Sequence, residues 1–120
     1  MIRLLPLFLV LAACNTVEVG TDTVAGLATP VLARHDAYVL ADPGLTEADR
    51  APLLAQSVAV REALVGEKVD ARAILPLLAA PMDRHDAYLR ADPLIDPGDR
   101  NTYLRSTEIL RLLLTEASTP

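Results

Sequence analysis

The chain has 120 residues and a formal net charge of −5, and its 52% of hydrophobic residues include three Tyr and no Trp. A chain of this length forms at most one domain, whose core must be built mainly from aliphatic side chains. Because Ala, Leu, Arg and Glu favour helices, the composition indicates an all-α protein. The acidic charge, with Arg interleaved among Asp and Glu, argues against a basic surface that would bind nucleic acid.

The N-terminal segment predicts export. Arg3 precedes an apolar run from Leu4 to Val10, which is too short to span a bilayer of about 30 Å and is typical of a signal peptide. The run closes with Leu11-Ala12-Ala13-Cys14, and this Cys is the only one in the chain. These four residues resemble the lipobox of bacterial lipoproteins. The resemblance implies that Cys14 becomes the first residue, with diacylglycerol on its sulfur and a third acyl chain on its amine.

The same resemblance implies a location. Asn15 follows the Cys, whereas lipoproteins kept at the inner membrane of Gram-negative cells usually carry Asp there. We therefore expect residues 1–13 to be a signal peptide, residues 14–20 to be a lipid tether, and the protein to face the periplasm from the outer membrane. Several acyl chains would anchor it stably to the membrane. The alternative is a secreted protein with one unpaired cysteine.

An internal repeat organises the rest of the chain. Residues 34–50 align with residues 84–100 without a gap, and ten of the seventeen positions are identical. A repeat of this kind indicates one supersecondary unit that is used twice. Apolar residues precede each copy at helical steps of three and four, which places the His and Tyr of both copies on an inward face.

Four helices are predicted in the duplicated region, 21–116, with repeat 1 at about 21–66, repeat 2 at about 70–116 and a frayed tail at 117–120. The first begins at Thr21 or Asp22 and ends at Asp42-Pro43, the second runs from about Glu47 to Val65, the third is capped by Asp70 and ends at Asp92-Pro93, and the fourth runs from about Pro97 to Thr115. Joined by short turns, they predict two duplicated αα-hairpins that form a small four-helix bundle.

Capping signals and prolines refine these boundaries. Thr46 with Asp49, and Asp96 before Pro97, are typical helix starts, and Gly66 is a natural stop. Prolines at 30, 76 and 81 lie inside predicted helices, where each removes a hydrogen bond. They predict kinks in the first and third helices, or a third helix that begins only after residue 76.

The repeated polar residues are the candidate site. One interpretation is a structural hairpin motif, in which the inward His and Tyr find hydrogen-bond partners because a buried polar group without one costs about 1–3 kcal/mol. In this interpretation each Asp–Arg pair bridges its own hairpin. The motif comprises His35, Tyr38, Asp42 and Arg50, and His85, Tyr88, Asp92 and Arg100.

Two alternatives use the same region. Arg34, Asp36, Arg84 and Asp86, expected to point outward, could form a partner-binding surface. Alternatively, His35 and His85 at one height inside the bundle could hold a metal ion or haem. The metal alternative lacks a carboxylate on the same face, because neighbours on a helix point about 100° apart. We predict no metal and no cofactor.

These observations favour a non-catalytic interaction module that is anchored to the outer membrane and binds an unidentified envelope protein. Catalysis is not expected, because the chain has no nucleophile turn, no phosphate-binding glycine loop and no free cysteine. An alternative is a phage-encoded envelope lipoprotein, since size and lipobox resemble the outer-membrane subunit of a spanin or a lipoprotein that blocks superinfection. A further alternative is the metal or haem carrier. No family is recognised for the repeated helices, and the oligomeric state stays open.

Overall fold

The computed structural model describes residues 18–119 and shows a helical bundle of four helices and one short strand pair. Strand β1 is Glu18–Gly20, helix α1 is Thr21–Ala41, helix α2 is Glu47–Ala63, strand β2 is Lys68–Asp70, helix α3 is Ala71–Ala91 and helix α4 is Pro97–Ser118. The predicted all-α class is confirmed by these helices. The predicted signal peptide, the lipobox, Cys14, the first part of the tether and Pro120 lie outside the described residues.

The local sequence accounts for most helix starts. Thr46 and Asp49 form a reciprocal capping box, with Asp49 N–H donating to Thr46 Oγ1 at 3.1 Å. Asp96 accepts from Gly98 N–H at 2.9 Å, and Asp70 accepts from Arg72 N–H at 2.9 Å. These three predicted caps are therefore present.

Several boundaries differ from the sequence prediction. Helix α1 is preceded by Gly20, which offers no side-chain cap. Helix α2 ends at Ala63, before a turn in which Gly66 has a φ of 78°. Helix α4 continues to Ser118, so the first residues of the predicted frayed tail are helical, and Ala117 packs against the core.

The prolines do not end their helices. Helix α3 contains both Pro76 and Pro81, so it does not begin after residue 76, and helix α1 contains Pro30. Pro81 is buried in helix α3. Burial of surrounding apolar surface offsets the lost backbone hydrogen bonds, which in an isolated helix would each cost about 3 kcal/mol.

The two strands pair where the sequence prediction placed no regular structure. They are antiparallel, and Val19 lies opposite Val69. These residues are fifty positions apart, as are the two copies of the repeat. The pair joins the starts of α1 and α3, and Tyr38 stacks on Tyr88 near their ends. Helices α1 and α3 therefore run in the same direction.

The apolar core lies at the strand end of the bundle. Helices α1 and α3 contact each other, and α2 and α4 each contact both of them. The core cluster is Val24, Ala28, Val31, Leu32, Val60, Val69, Ala71, Ile74, Leu78, Met82, Leu110 and Leu114. Within residues 18–119, every helix is too short or too polar to cross a membrane.

Candidate functional site

Beyond the apolar core, each central helix buries a histidine that accepts a bond from the other central helix. His35 and His85 are fully buried. Arg84 Nη1 lies 2.8 Å from His35 Nε2, and Arg34 Nε lies 3.1 Å from His85 Nε2. A guanidinium only donates, so both Nε2 atoms accept. Each imidazole is therefore neutral and carries its proton on Nδ1.

The second ring nitrogen of each histidine binds the next residue in the chain. His35 Nδ1 and Asp36 Oδ1 are 2.9 Å apart, and His85 Nδ1 and Asp86 Oδ1 are also 2.9 Å apart. With the proton on Nδ1, the imidazole donates and the carboxylate accepts. In each copy of the repeat, a chain of bonds thus runs from an arginine of the other copy, through a histidine, to an aspartate.

Residues of the outer helices complete the bonding of these carboxylates. In α2, Ser57 Oγ donates to Asp36 Oδ1 at 2.6 Å, and Arg61 lies 3.1 Å from Asp36 Oδ2. The α4 counterparts bind Asp86. Thr107 Oγ1 donates to Asp86 Oδ1 at 2.8 Å, and Arg111 Nη1 lies 2.8 Å from Oδ2. Asp86 is only 4% exposed, so this second set is the more deeply buried one.

The surroundings shift the protonation equilibria of this network. Burial, more than any other effect, lowers the pKa of His35, although its bond to Asp36 acts in the opposite direction. Burial alone would raise the pKa of Asp36 and Asp86, but the donors around them outweigh it and lower both pKa values. The network therefore holds ionised carboxylates and a neutral His35 at neutral pH.

The tyrosines connect the two copies of the repeat at the turn end of the bundle, where α1 and α3 are followed by the turns at 42–46 and 92–96. The Tyr38 and Tyr88 rings are stacked, with centroids 5.2 Å apart and planes 8° from parallel. Tyr38 Oη donates to Asp92 Oδ2 at 2.8 Å, and Tyr88 Oη donates to Asp42 Oδ2 at 2.6 Å. Burial first, and then these bonds, raise the pKa of each tyrosine to about 12.

The Asp–Arg pairs of the predicted hairpin motif differ from the expected side-chain bridges. Arg50 Nη2 donates to the carbonyl oxygen of Asp42 at 2.7 Å, and Arg100 Nη2 donates to that of Asp92 at 2.6 Å. Each arginine also donates to the carbonyl oxygen of the helix residue three positions before that aspartate, Val39 or Leu89. The arginines therefore satisfy carbonyls at the ends of α1 and α3, which leaves both carboxylates to the tyrosines.

The four residues that were expected to point outward lie inside the network. Asp36 and Asp86 bind the outer helices, and Arg34 and Arg84 bind the histidines of the opposite half. Arg34 also lies over the Tyr103 ring, 3.9 Å from its centroid. Asp86 is buried and the other three are half-buried, because a central helix that contacts three neighbours buries a wider face than one apolar stripe. The side chains of all four therefore already have partners within the protein.

The partners in the outer helices were not predicted from the sequence. Ser57 and Thr107 are fifty positions apart, and so are Arg61 and Arg111. Extending the alignment beyond residue 50 at the same offset would have brought these pairs to attention. Their side chains are similar in chemistry, while the residues around them differ between the copies.

The geometry around the two histidines disfavours a metal ion. Across residues 18–119 there is no group of three or more His, Cys, Asp or Glu side chains that could hold one. Both nitrogens of each histidine already have protein partners, and one of these partners is a cationic guanidinium. A metal at His35 or His85 would have to displace that cation.

In the part of the chain that the structure describes, two of the surface depressions lie beside this network. A cleft of about 520 Å³ lies at the turn end, lined by Tyr38, Ala41, Asp42, Pro43, Tyr88, Ala91, Asp92, Pro93 and Leu94. A more polar groove of about 730 Å³ follows α3 and α4 and includes Arg90, Arg105 and Arg111. The cleft is bounded by both copies of the repeat, whereas these groove residues all belong to the second copy.

Comparison with protein-family models, with curated proteins and with solved structures finds no match to this chain.

Proposed function

We propose that this protein is a non-catalytic helical interaction module built from two duplicated αα-hairpins. In this proposal the repeated motif locks the hairpins together and takes no part in chemistry. The observation that carries the proposal is the exchange of partners between the copies. In each copy, the His, the Tyr and the Arg that precedes the His bind residues of the other copy.

The pattern of exchange supports a pseudo-twofold relation between the hairpins. Arg34 binds His85 and Arg84 binds His35, while Tyr38 binds Asp92 and Tyr88 binds Asp42. The opposition of Val19 and Val69 has the same symmetry. A bond network with this reciprocity connects the two copies more specifically than apolar contact alone, because hydrogen bonds require particular donors and acceptors at fixed distances.

The location is proposed from the leader. Lipid on Cys14 would anchor the module to the outer membrane with the helices in the periplasm, where an envelope protein would be its partner. We would express the full chain with its own leader in a Gram-negative cell and determine the mass of its N-terminal peptide. Acylation that disappears in Cys14→Ser supports the anchor, and an unmodified Cys14 in the wild type refutes it.

The lock is tested with His35→Ala/His85→Ala, compared with Ala37→Ser/Ala87→Ser at exposed positions of the same helices. We expect the histidine variant to melt much lower, or to be unfolded, without any change in metal content. A stoichiometric metal or haem in the wild type that the variant lacks would refute the lock and favour a carrier. Photo-crosslinking from exposed helix positions in cells then tests for a partner.

A further inference from the structure

The cleft at the turn end is lined by apolar side chains and by two carboxylates at its rim, Asp42 and Asp92. Its lining includes the stacked tyrosines and the small or cyclic residues Ala41, Pro43, Ala91 and Pro93. The Asp42 and Asp92 carboxylates each accept a bond from one of the two tyrosines. A volume of about 520 Å³ falls within the range of roughly 300–1,000 Å³ that ligand-binding clefts occupy.

Both rim carboxylates are held in the charged form. The bond from Tyr88 Oη, followed by that from Gly44 N–H, lowers the pKa of Asp42. The bond from Leu94 N–H, followed by that from Tyr38 Oη, lowers the pKa of Asp92. These bonds also fix the positions of the carboxylates, so their negative charges are already placed before any ligand arrives.

The two turns that flank the cleft carry a net negative charge. Residues 42–50 and 92–100 contain six acidic residues and two arginines. These arginines, Arg50 and Arg100, donate to backbone carbonyls beside the cleft. The C-terminal ends of α1 and α3, which carry the negative end of the helix dipole, also meet here. The cleft therefore favours cations and disfavours anionic partners.

We infer that this cleft binds a cationic peptide segment of a partner protein, in which one large apolar side chain is flanked by basic residues. The apolar side chain covers the edges of the tyrosine rings, and the two basic side chains meet Asp42 and Asp92. This inference rests on the proposed interaction module and names the chemistry of its partner. A second copy of the chain is disfavoured as the occupant, because facing turn ends would bring like charges together.

The position of the cleft suits a tethered protein. Glu18, where the described chain begins, opens strand β1, which directly precedes α1, and the cleft lies at the other end of that helix. A helix of 21 residues is about 30 Å long at 1.5 Å per residue. A module held by its N-terminus would present the cleft on the side away from its anchor.

The test uses the full chain and synthetic acetylated, amidated peptides. The probe contains Lys-Leu-Lys between glycines, and the comparison peptides contain Glu-Leu-Glu and Lys-Gly-Lys. Two of the three tyrosines line the cleft, so tyrosine NMR shifts report on it directly. We expect saturable binding of Lys-Leu-Lys, binding at least tenfold weaker for the others, and weakening with added salt.

Matched variants separate the cleft from the rest of the surface. Ala41→Arg/Ala91→Arg places cations in the cleft at exposed helix ends, where basic residues are compatible with folding. It should abolish binding, while Ala37→Arg/Ala87→Arg, on the same helices but outside the cleft lining, should retain it. Equal binding of both charge types, or binding that survives in the cleft variant, overturns the inference.

Two other outcomes overturn it in different ways. Sedimentation that shows dimers of the wild type but monomers of Ala41→Arg/Ala91→Arg would identify a second copy as the occupant. Absence of binding in all peptides at millimolar concentration would refute the cationic ligand. If photo-crosslinking nevertheless captures a partner on another face, the interaction module stands and only the assignment of this cleft fails.

Discussion

Removing the two tyrosine hydroxyls isolates the bonds that join the halves at the turn end. Tyr38→Phe/Tyr88→Phe keeps both stacked rings but removes the hydroxyl groups that donate to Asp92 and Asp42. The lost hydrogen bonds have lengths of 2.8 Å and 2.6 Å. Hydrogen bonds to charged groups contribute about 1.5–3 kcal/mol. Both tyrosines are partly exposed, so we discount each bond to about 1 kcal/mol for solvent screening.

The double variant should therefore lose about 2 kcal/mol of unfolding free energy, which lowers the Tm by roughly 8–16 °C for a domain of about 100 residues. The assay is thermal unfolding followed by circular dichroism at pH 7.5. Tyr103→Phe is the control, since it keeps the ring face that Arg34 covers. A double variant that melts within one or two degrees of the wild type would refute the reasoning.

The same variant changes the response to alkali. The pKa of each tyrosine is raised to about 12 in the folded protein, against an ordinary value of 10. A raised folded pKa contributes stability that is present below pH 10 and is lost as the pH rises towards 12. Urea unfolding at pH 9 and pH 11.5 should show this loss in the wild type and a smaller one in Tyr38→Phe/Tyr88→Phe. Equal losses would contradict the assignment.

Three further perturbations address other parts of the molecule. His35 faces Arg84, Asp36 and His85, and its pKa is lowered in the folded protein. This lowered pKa contributes stability that is present above pH 6.5 and is lost as the pH falls through the folded pKa. Urea midpoints should therefore drop between pH 7.5 and pH 5, and less so in His35→Gln. Thr46→Ala removes a helix cap and should cost about 1 kcal/mol in urea unfolding, whereas Ala48→Ser nearby should change little. Thr21 Oγ1 is buried without a partner in the described part of the chain. Thr21→Ala, which introduces the residue found at the matching position 71, should therefore melt no lower than the wild type. A clear loss of stability would reveal an unseen partner.

Sequence patterns predicted what depends on neighbouring residues. Thr46, Asp70 and Asp96 cap helices because a short polar side chain can reach the free N–H groups of the next turn. The helical spacing also predicted that His35 and His85 lie inward, and both are fully buried. These features depend only on one helix and its period, so they can be predicted without knowledge of the fold.

What the sequence did not predict depends on how the helices meet. Asp42 was paired with Arg50 because they are close in the chain, yet its carboxylate accepts from Tyr88, which lies 46 positions away. The strands at Val19 and Val69 are three residues long, too short to show a period of two. The partial burial of Arg34 and Asp36 follows from contacts with several helices at once, which a single apolar stripe does not encode.

The exchange of partners between the halves also has a consequence for assembly. A chain that carried only one copy of the repeat would leave its arginine, histidine and tyrosine without their partners, but two such chains could satisfy one another. Joining the copies in one chain replaces that bimolecular encounter by a local concentration on the order of millimolar for a short connection. The turn around Gly66, which has a φ of 78°, connects the halves. If this turn opened, two full-length molecules could trade halves and form every cross-copy bond between them, as in a domain-swapped dimer.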